Sequence, residues 1–143
     1  MIGTLFFNEA CKALAKTYLR GYTDGTIKFE KGYANMQAIT SKDFEHVGDD
    51  TAVTVVDFWA TWCGPCKMQT PVLEALDQEY GDQVKFASLD VDQNQDLAQS
   101  LGIMSIPSLV VFKNGMPTEK VVGFHPKAAL KKYLDEKLTE VSA

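Results

Sequence analysis

The sequence predicts an α/β protein with a central mixed β-sheet of about five strands, flanked by helices on both faces. Short β-branched, apolar runs alternate with segments whose apolar residues recur at helical spacing. The last two predicted strands are joined by an Asn-Gly pair, which is typical of a tight antiparallel hairpin. Alternating strands and helices that end in such a hairpin require a mixed sheet covered on both faces. The 143 residues, 45% of them hydrophobic, are enough for one domain with a real core.

The first regular elements lead to a pair of cysteines. A short strand is predicted at 37–39, and Thr40 then resembles the N-cap of a short helix that ends at Gly48. The β-branched, apolar run 52–60 predicts a buried strand. After the cysteines, apolar residues at helical spacing predict a helix that continues to Tyr80.

The second half of the chain repeats this alternation and closes with a hairpin and a helix. The predicted elements are a strand at 84–91, a helix at 96–101, a strand at 108–112, a turn at 113–116, a strand at 119–122 and a last helix that begins at Pro126.

The first 35 residues differ in composition from the rest of the chain. They hold five basic and three acidic residues, whereas the remainder holds nine basic and sixteen acidic ones. Residues 5–18 contain a possible helical apolar stripe, and Gly21, Gly25 and Gly32 interrupt any longer element. The order of apolar and basic residues is not that of a secretory signal. We therefore predict a boundary at Met36, with residues 1–35 as an N-terminal extension and 36–143 as the folded domain.

Four interpretations of the 1–35 extension stay open. It is an accessory helix, a poorly ordered segment, a targeting peptide or translated upstream sequence. The last follows from Glu30-Lys31-Gly32, whose codons can form a purine-rich run like a bacterial ribosome-binding site shortly before Met36. The predicted strands and helices are complete from Met36 onward, so the domain is not expected to need the extension.

Composition and charge exclude several classes of function. The net charge of −5, without a basic cluster, argues against nucleic-acid binding. No apolar stretch is long enough to span a membrane. Three cysteines do not make a disulfide framework.

Cys63 and Cys66 are separated only by Gly64 and Pro65, and they lie where the buried strand gives way to a helix. Free N–H groups and the macrodipole at a helix N-terminus favour negative charge, and therefore the thiolate, which is the reactive form of cysteine. The two-residue spacing lets the second sulfur reach the first and close a small ring. The pair is predicted to exchange disulfides through a mixed disulfide.

Two other interpretations of the cysteine pair are weaker. A zinc site needs further ligands, usually a second closely spaced pair. Only Cys11, His46 and His125 remain, and they are scattered along the chain, so no metal site is predicted. A purely structural disulfide across so short a loop would restrict the unfolded chain little.

Residues from Met36 to about Leu138 resemble the thioredoxin family. Separated motifs in the same order carry the resemblance, namely Asp57-Phe58-Trp59-Ala60, Trp62-Cys63-Gly64-Pro65-Cys66-Lys67, Pro71, Asp90-Val91-Asp92-Gln93-Asn94, Ile106-Pro107-Ser108, Phe112-Lys113-Asn114-Gly115 and Gly123.

The resemblance implies a protein-disulfide reductase with the thioredoxin fold. Cys63 would attack a substrate disulfide, and Cys66 would resolve the mixed disulfide. NADPH, through a flavin-containing thioredoxin reductase, would return the pair to the dithiol, so this chain itself would bind no cofactor. The expected partners are that reductase and disulfide-containing client proteins. A cytoplasmic monomer that binds neither nucleic acid nor membrane is expected.

Asp57 is the only charged residue in the strand predicted to be buried. Burial raises the pKa of a carboxyl group, and a carboxylate poised near neutrality can take the proton of Cys66 directly or through water. A structural role, as a cap of neighbouring backbone, is the alternative. Members of the family often place a lysine near this acid, but Ser88 aligns with that position here.

Ile106-Pro107 opens a predicted central strand, which is unusual because proline removes a ladder hydrogen bond. The resemblance implies a cis peptide bond facing the cysteines, which leaves the Ile106 backbone free to pair with an extended substrate. We interpret Met104 as core filler rather than as a substrate contact, because a loop methionine more often fills the core. We interpret His125 as a surface residue rather than a catalytic base. The residues expected to line an apolar groove around Cys63 are Trp62, Gly64, Pro65, Ile106, Pro107, Gly123 and Phe124.

Two further classes of function remain as alternatives. In the first, a binding module uses the same groove and its redox chemistry is incidental. Intact Cys63, Cys66 and Asp57 favour the reductase, because a pure binder needs none of them. In the second, the protein is a disulfide-forming oxidant. Such a protein works in an oxidising compartment, and we recognise no signal in the sequence that would direct the chain to one.

Overall fold

A computed structural model of the chain describes residues 36–49 and 51–142, together with the backbone of two short strands nearer the N-terminus. The strands are β1 Thr4–Phe6, β2 Glu30–Lys31, β3 Gln37–Ala38, β4 Val53–Trp59, β5 Val84–Asp90, β6 Ser108–Lys113 and β7 Met116–Val122. The α-helices of the described residues are α1 Gly64–Tyr80, α2 Gln95–Ser100 and α3 Lys127–Ser142.

All seven strands belong to one mixed sheet in the order β1-β7-β6-β4-β5-β3-β2. The central strand β4 runs parallel to β5 and antiparallel to β6. Strands β3 to β7 are the five that the sequence predicts, so the predicted mixed sheet is confirmed. The short strands β1 and β2 pair with its two outer strands, β7 and β3. Residues 4–6 are thus extended, and the rest of the possible helical stripe at 5–18 lies outside the described residues.

Helices cover both faces of the sheet. Leu73 and Leu76 of α1 pack with Leu130 of α3 on one face, whereas α2 packs on the other face. Because side chains alternate along a strand, Asp57 of β4 points toward the side occupied by α1 and α3. In the part of the chain that the structure describes, no helix is both long and apolar enough to cross a membrane.

The predicted hairpin joins β6 and β7 through Asn114 and Gly115. Both residues have positive φ angles, 50° and 78°, as a type I′ turn requires. Strand β7 begins at Met116, three residues before the predicted start, because the two-residue turn brings Lys113 and Met116 directly opposite each other. The sequence did not indicate this longer strand, because a proline such as Pro117 normally argues against one. In the structure Pro117 lies beside a register shift, where a proline is tolerated.

The short helix predicted before β4 is a single 3₁₀ turn, Phe44–His46. Thr40 does not cap a longer helix. Its backbone N–H instead donates to the Asp43 carboxylate at 2.8 Å. The turn buries Phe44, whose ring packs edge-on against Phe58 and Phe112.

Candidate active site

The two cysteines lie at the junction of β4 and α1. Strand β4 ends at Trp59 and α1 begins at Gly64, which makes Cys63 the N-cap residue of the helix. Cys63 and Cys66 form a disulfide with their Cα atoms 5.3 Å apart. The Cys66 N–H donates to Cys63 Sγ at 3.2 Å. A helix-terminal donor placed in this way favours a negative sulfur once the bond is reduced.

Apolar groups surround the disulfide on its inner side. Both cysteines are buried, and Ala60 and Ile106 pack against them. The Ile106–Pro107 peptide bond is cis, as the resemblance implies. The Pro107 carbonyl accepts a hydrogen bond from the Gly123 N–H at 2.8 Å. The loop before β6 and the loop after β7 are therefore joined next to the disulfide.

Two of the predicted groove residues have exposed apolar side chains. Trp62 is 69% exposed and Phe124 is 40% exposed. Trp62 is oriented by its Nε1–H, which donates to the Asp92 carboxylate at 2.9 Å. The interpretation of Met104 as core filler is wrong, because its side chain is 93% exposed in the loop that precedes the cis-proline.

Asp57 lies in the interior of the sheet with 1% of its surface exposed. Neither carboxylate oxygen has a hydrogen-bond partner among the described residues. Burial raises the pKa of Asp57 from its ordinary value of 3.8 to about 7. A carboxyl group in this range can both accept and release a proton near neutral pH.

Ser88 is the register neighbour of Asp57 on the parallel strand β5, the position that the family resemblance assigns to a lysine. The Ser88 hydroxyl is itself buried and has no hydrogen-bond partner within the described ranges. Asp57 therefore has a small, uncharged neighbour at this register position. A lysine there would lower the pKa of Asp57, whereas Ser88 leaves the rise caused by burial in place.

The sequence patterns do not single out Gln69, which contacts the loop that carries the predicted groove residues Gly123 and Phe124. It lies one turn beyond Cys66 on α1, and its side chain is completely buried. Its amide makes two hydrogen bonds to the backbone of His125. The signal was present in the sequence, because helical spacing from Cys66 to Leu73 places residue 69 on the inward face.

A mixed sheet whose central strand leads into a two-cysteine turn at a helix N-terminus is the architecture of a thiol–disulfide oxidoreductase. The sequence comparisons agree with this class. The family model described as Thioredoxin matches residues 35–136. The chain therefore belongs to the thioredoxin family.

Individual relatives support the same conclusion. Thioredoxin of Bacillus subtilis (strain 168) is 55% identical over 86 residues, which are 60% of this chain and 83% of that protein. Thioredoxin of Staphylococcus aureus (strain Mu50 / ATCC 700699) is 50% identical over 100 residues, which are 70% of this chain and 95% of that protein. With its Cys63–Cys66 disulfide, the chain is a protein-disulfide oxidoreductase that acts by dithiol–disulfide exchange.

Proposed function

We propose that Cys63 is the attacking thiolate and Cys66 the resolving thiol in the reduction of protein disulfides. The Cys63 thiolate attacks one sulfur of a client disulfide, forms a mixed disulfide and releases the first client thiol. Cys66, as its thiolate, then attacks Cys63 Sγ, closes the Cys63–Cys66 disulfide and releases the second thiol. Two electrons pass from the dithiol to the client. The observation that carries this assignment is the Cys66 N–H aimed at Cys63 Sγ from the first turn of α1.

Asp57 acts as the proton acceptor and donor for Cys66, directly or through water. Resolution requires the Cys66 thiol to lose its proton, whereas reduction of the disulfide requires that proton to be restored. A buried carboxyl with a pKa of about 7 serves both directions near neutral pH. Its position on the face of β4 that α1 covers supports this role.

Client proteins bind as extended segments in the apolar groove around Cys63. None of the described residues forms a hydrogen bond with the Ile106 backbone, which is thus available for β-strand addition. Exposed Trp62 and Phe124 supply apolar contact on either side. The residues of the groove are Trp62, Gly64, Pro65, Ile106, Pro107, Gly123 and Phe124.

The dithiol is regenerated by a flavin-containing thioredoxin reductase that draws on NADPH, and neither cofactor is held by this chain. We place the protein in the cytoplasm, because a dithiol reductant works in a reducing compartment. It acts as a monomer, since one chain supplies both cysteines and the whole groove. Nucleic acid and membranes are not among its partners.

Residues 36–143 form the catalytic domain, and the 1–35 extension is dispensable for reduction. The match to the family model begins at residue 35, and 100 aligned residues span 95% of the Staphylococcus aureus relative. Both cysteines, Asp57 and the groove lie within these limits.

Reduction of insulin by dithiothreitol tests the proposed function. We expect the protein to accelerate precipitation of the insulin B chain strongly, and Cys63→Ser to abolish the acceleration. Cys11→Ser is the matched control, because it removes a cysteine and leaves the active pair, so it should behave as wild type. A binding module with incidental redox chemistry would give no acceleration. In a second arm, NADPH and a thioredoxin reductase replace dithiothreitol and test the electron supply.

A further inference from the structure

Gln69 is unusual because it is a completely buried polar side chain on the helix that carries both cysteines. Its Oε1 accepts from the His125 N–H at 2.8 Å, and its Nε2 donates to the His125 carbonyl at 3.0 Å. One side-chain amide thus satisfies both backbone groups of a residue in the loop 123–126, which joins β7 to α3. A buried amide with both functions paired fixes its partner more closely than apolar contact does.

The Gln69–His125 pair belongs to a closed chain of contacts around the disulfide. His125 Nδ1 lies 3.0 Å from the Gly123 carbonyl, and this nitrogen must carry a hydrogen because a carbonyl can only accept. The Gly123 N–H donates to the Pro107 carbonyl, and Ile106 packs on the cluster formed by Ala60 and the two cysteines. The contacts therefore run from α1 through Gln69 and the 123–126 loop to the cis-proline, and return to α1 at the disulfide.

We infer that Gln69 is a positioning residue for client binding. Its amide holds the 123–126 loop at a fixed distance from α1, and this distance sets the width of the groove between Phe124 and Cys63. An apolar residue at position 69 would leave the N–H and C=O of His125 unpaired against the helix, so the loop would move outward to water. This inference rests on the proposed groove.

Positioning and a merely structural role predict different kinetics. A positioning residue affects clients that fill the groove, because their binding depends on a preformed shape. It does not affect a small disulfide that reaches Cys63 without touching the loop. We therefore compare two oxidants of the pre-reduced protein, a soluble extended peptide with one disulfide and hydroxyethyl disulfide.

For Gln69→Met, which keeps the side-chain length and removes both hydrogen bonds, we expect the half-saturating peptide concentration to rise about three- to tenfold. The maximal rate with peptide and the rate with hydroxyethyl disulfide should stay as in wild type. Tyr80→Phe is the matched control. Tyr80 also joins α1 to α3, through hydrogen bonds to the Lys131 carbonyl and Asp135, but at the end of the helix far from the cysteines. The rates with both oxidants and the half-saturating peptide concentration should stay as in wild type for Tyr80→Phe.

Gln69→Glu supplies a second test, which can be carried out even if Gln69→Met folds poorly. A protonated carboxyl reproduces both hydrogen bonds to His125, whereas a carboxylate has no hydrogen to donate to the His125 carbonyl. The ratio of the peptide rate to the hydroxyethyl disulfide rate should equal that of wild type at pH 5.5 and fall below it at pH 8. Wild type measured at each pH corrects for titration of Asp57 and for every other effect of pH that the two proteins share.

Phe124→Ala separates failure of this inference from failure of the groove itself. If Phe124→Ala weakens peptide binding but Gln69→Met does not, the positioning role is wrong and the groove stands. If neither variant affects the peptide, both the groove and the inference are wrong. Equal losses with both oxidants in Gln69→Met, or equal behaviour of Gln69→Met and Tyr80→Phe, would reduce Gln69 to a structural residue and overturn the inference.

Discussion

At the scale of single residues, Asp57 connects the proposed proton transfer with the stability of the fold. Its pKa rises from 3.8 to about 7 because burial disfavours the charged form. Between these pH values the folded protein holds a proton that the unfolded chain has released. The free energy of unfolding therefore falls as pH rises through this range and stays low above pH 7. The same carboxyl that is suited to proton transfer lowers the stability of the fold.

Asp57→Asn should consequently be more stable than wild type at high pH. Each pKa unit corresponds to about 1.4 kcal/mol, so the gain in the oxidised protein should reach on the order of 3–4 kcal/mol at pH 8.5 and nearly vanish at pH 4. Denaturant midpoints of wild type and Asp57→Asn, measured from pH 4 to pH 8.5, test this prediction. Asp82 is an exposed acid, so the control variant Asp82→Asn should have nearly the same denaturant midpoint as wild type at every pH. A lower stability of Asp57→Asn at every pH would identify Asp57 as a structural cap.

At the scale of elements, α3 is fixed to β7 by a buried ionic cluster. Glu119 of β7 is 1% exposed, and its carboxylate accepts hydrogen bonds from the Tyr133 hydroxyl and from Lys137 Nζ. Lys113 Nζ lies 3.4 Å from the same carboxylate. A buried carboxylate with three partners fixes the relative position of helix and strand, because removing one partner leaves a poorly compensated charge.

Lys137→Met should lower the free energy of unfolding by about 2–3 kcal/mol, less than for complete loss of pairing because Tyr133 and Lys113 remain. Reductase activity at room temperature should not change, since the cluster contains none of the cysteine or groove residues. Lys132→Met, an exposed lysine on the same helix, is the control. Equal stability of the two variants would show that the cluster contributes no net stabilisation.

The elements also show what the sequence can predict. The run 53–59 and the Asn114-Gly115 turn were predictable because their local preferences agree with their tertiary positions. The exposure of Met104 was not predictable, because methionine is usually a buried residue. For Gln69, helical spacing indicates the inward position, but it does not indicate the partner that allows an amide to be buried there. Whether a loop methionine is exposed, or a helical glutamine is buried, depends on partners distant in sequence, here the His125 backbone for Gln69.

At the scale of the whole molecule, residues 36–142 contain the five central strands, the three helices and the cysteine site. Outside these limits the structure describes only β1 and β2, which pair with the sheet over three and two residues. Strands of two or three residues are expected to contribute little to the stability of a sheet that is already covered on both faces.

A chain that begins at Met36 should therefore match the full chain in insulin-reduction rate and melt within a few degrees of it. Thermal unfolding and the insulin assay, run side by side on both chains, test this prediction. A large loss in either measurement would place the domain boundary before Met36 and give the 1–35 extension a packing role.

The central claim is that Cys63 attacks the client disulfide and Cys66 resolves the mixed disulfide. Trapping of the mixed disulfide tests this claim most directly. Cys66→Ser keeps the attacking sulfur and removes the resolving one, so it should accumulate a stable mixed disulfide with a disulfide-containing protein. Cys63→Ser, treated in the same way, should trap little. Mass spectrometry of the digested adduct should find the client cysteine bonded to Cys63. Efficient trapping by Cys63→Ser, through a bond to Cys66, would contradict the account.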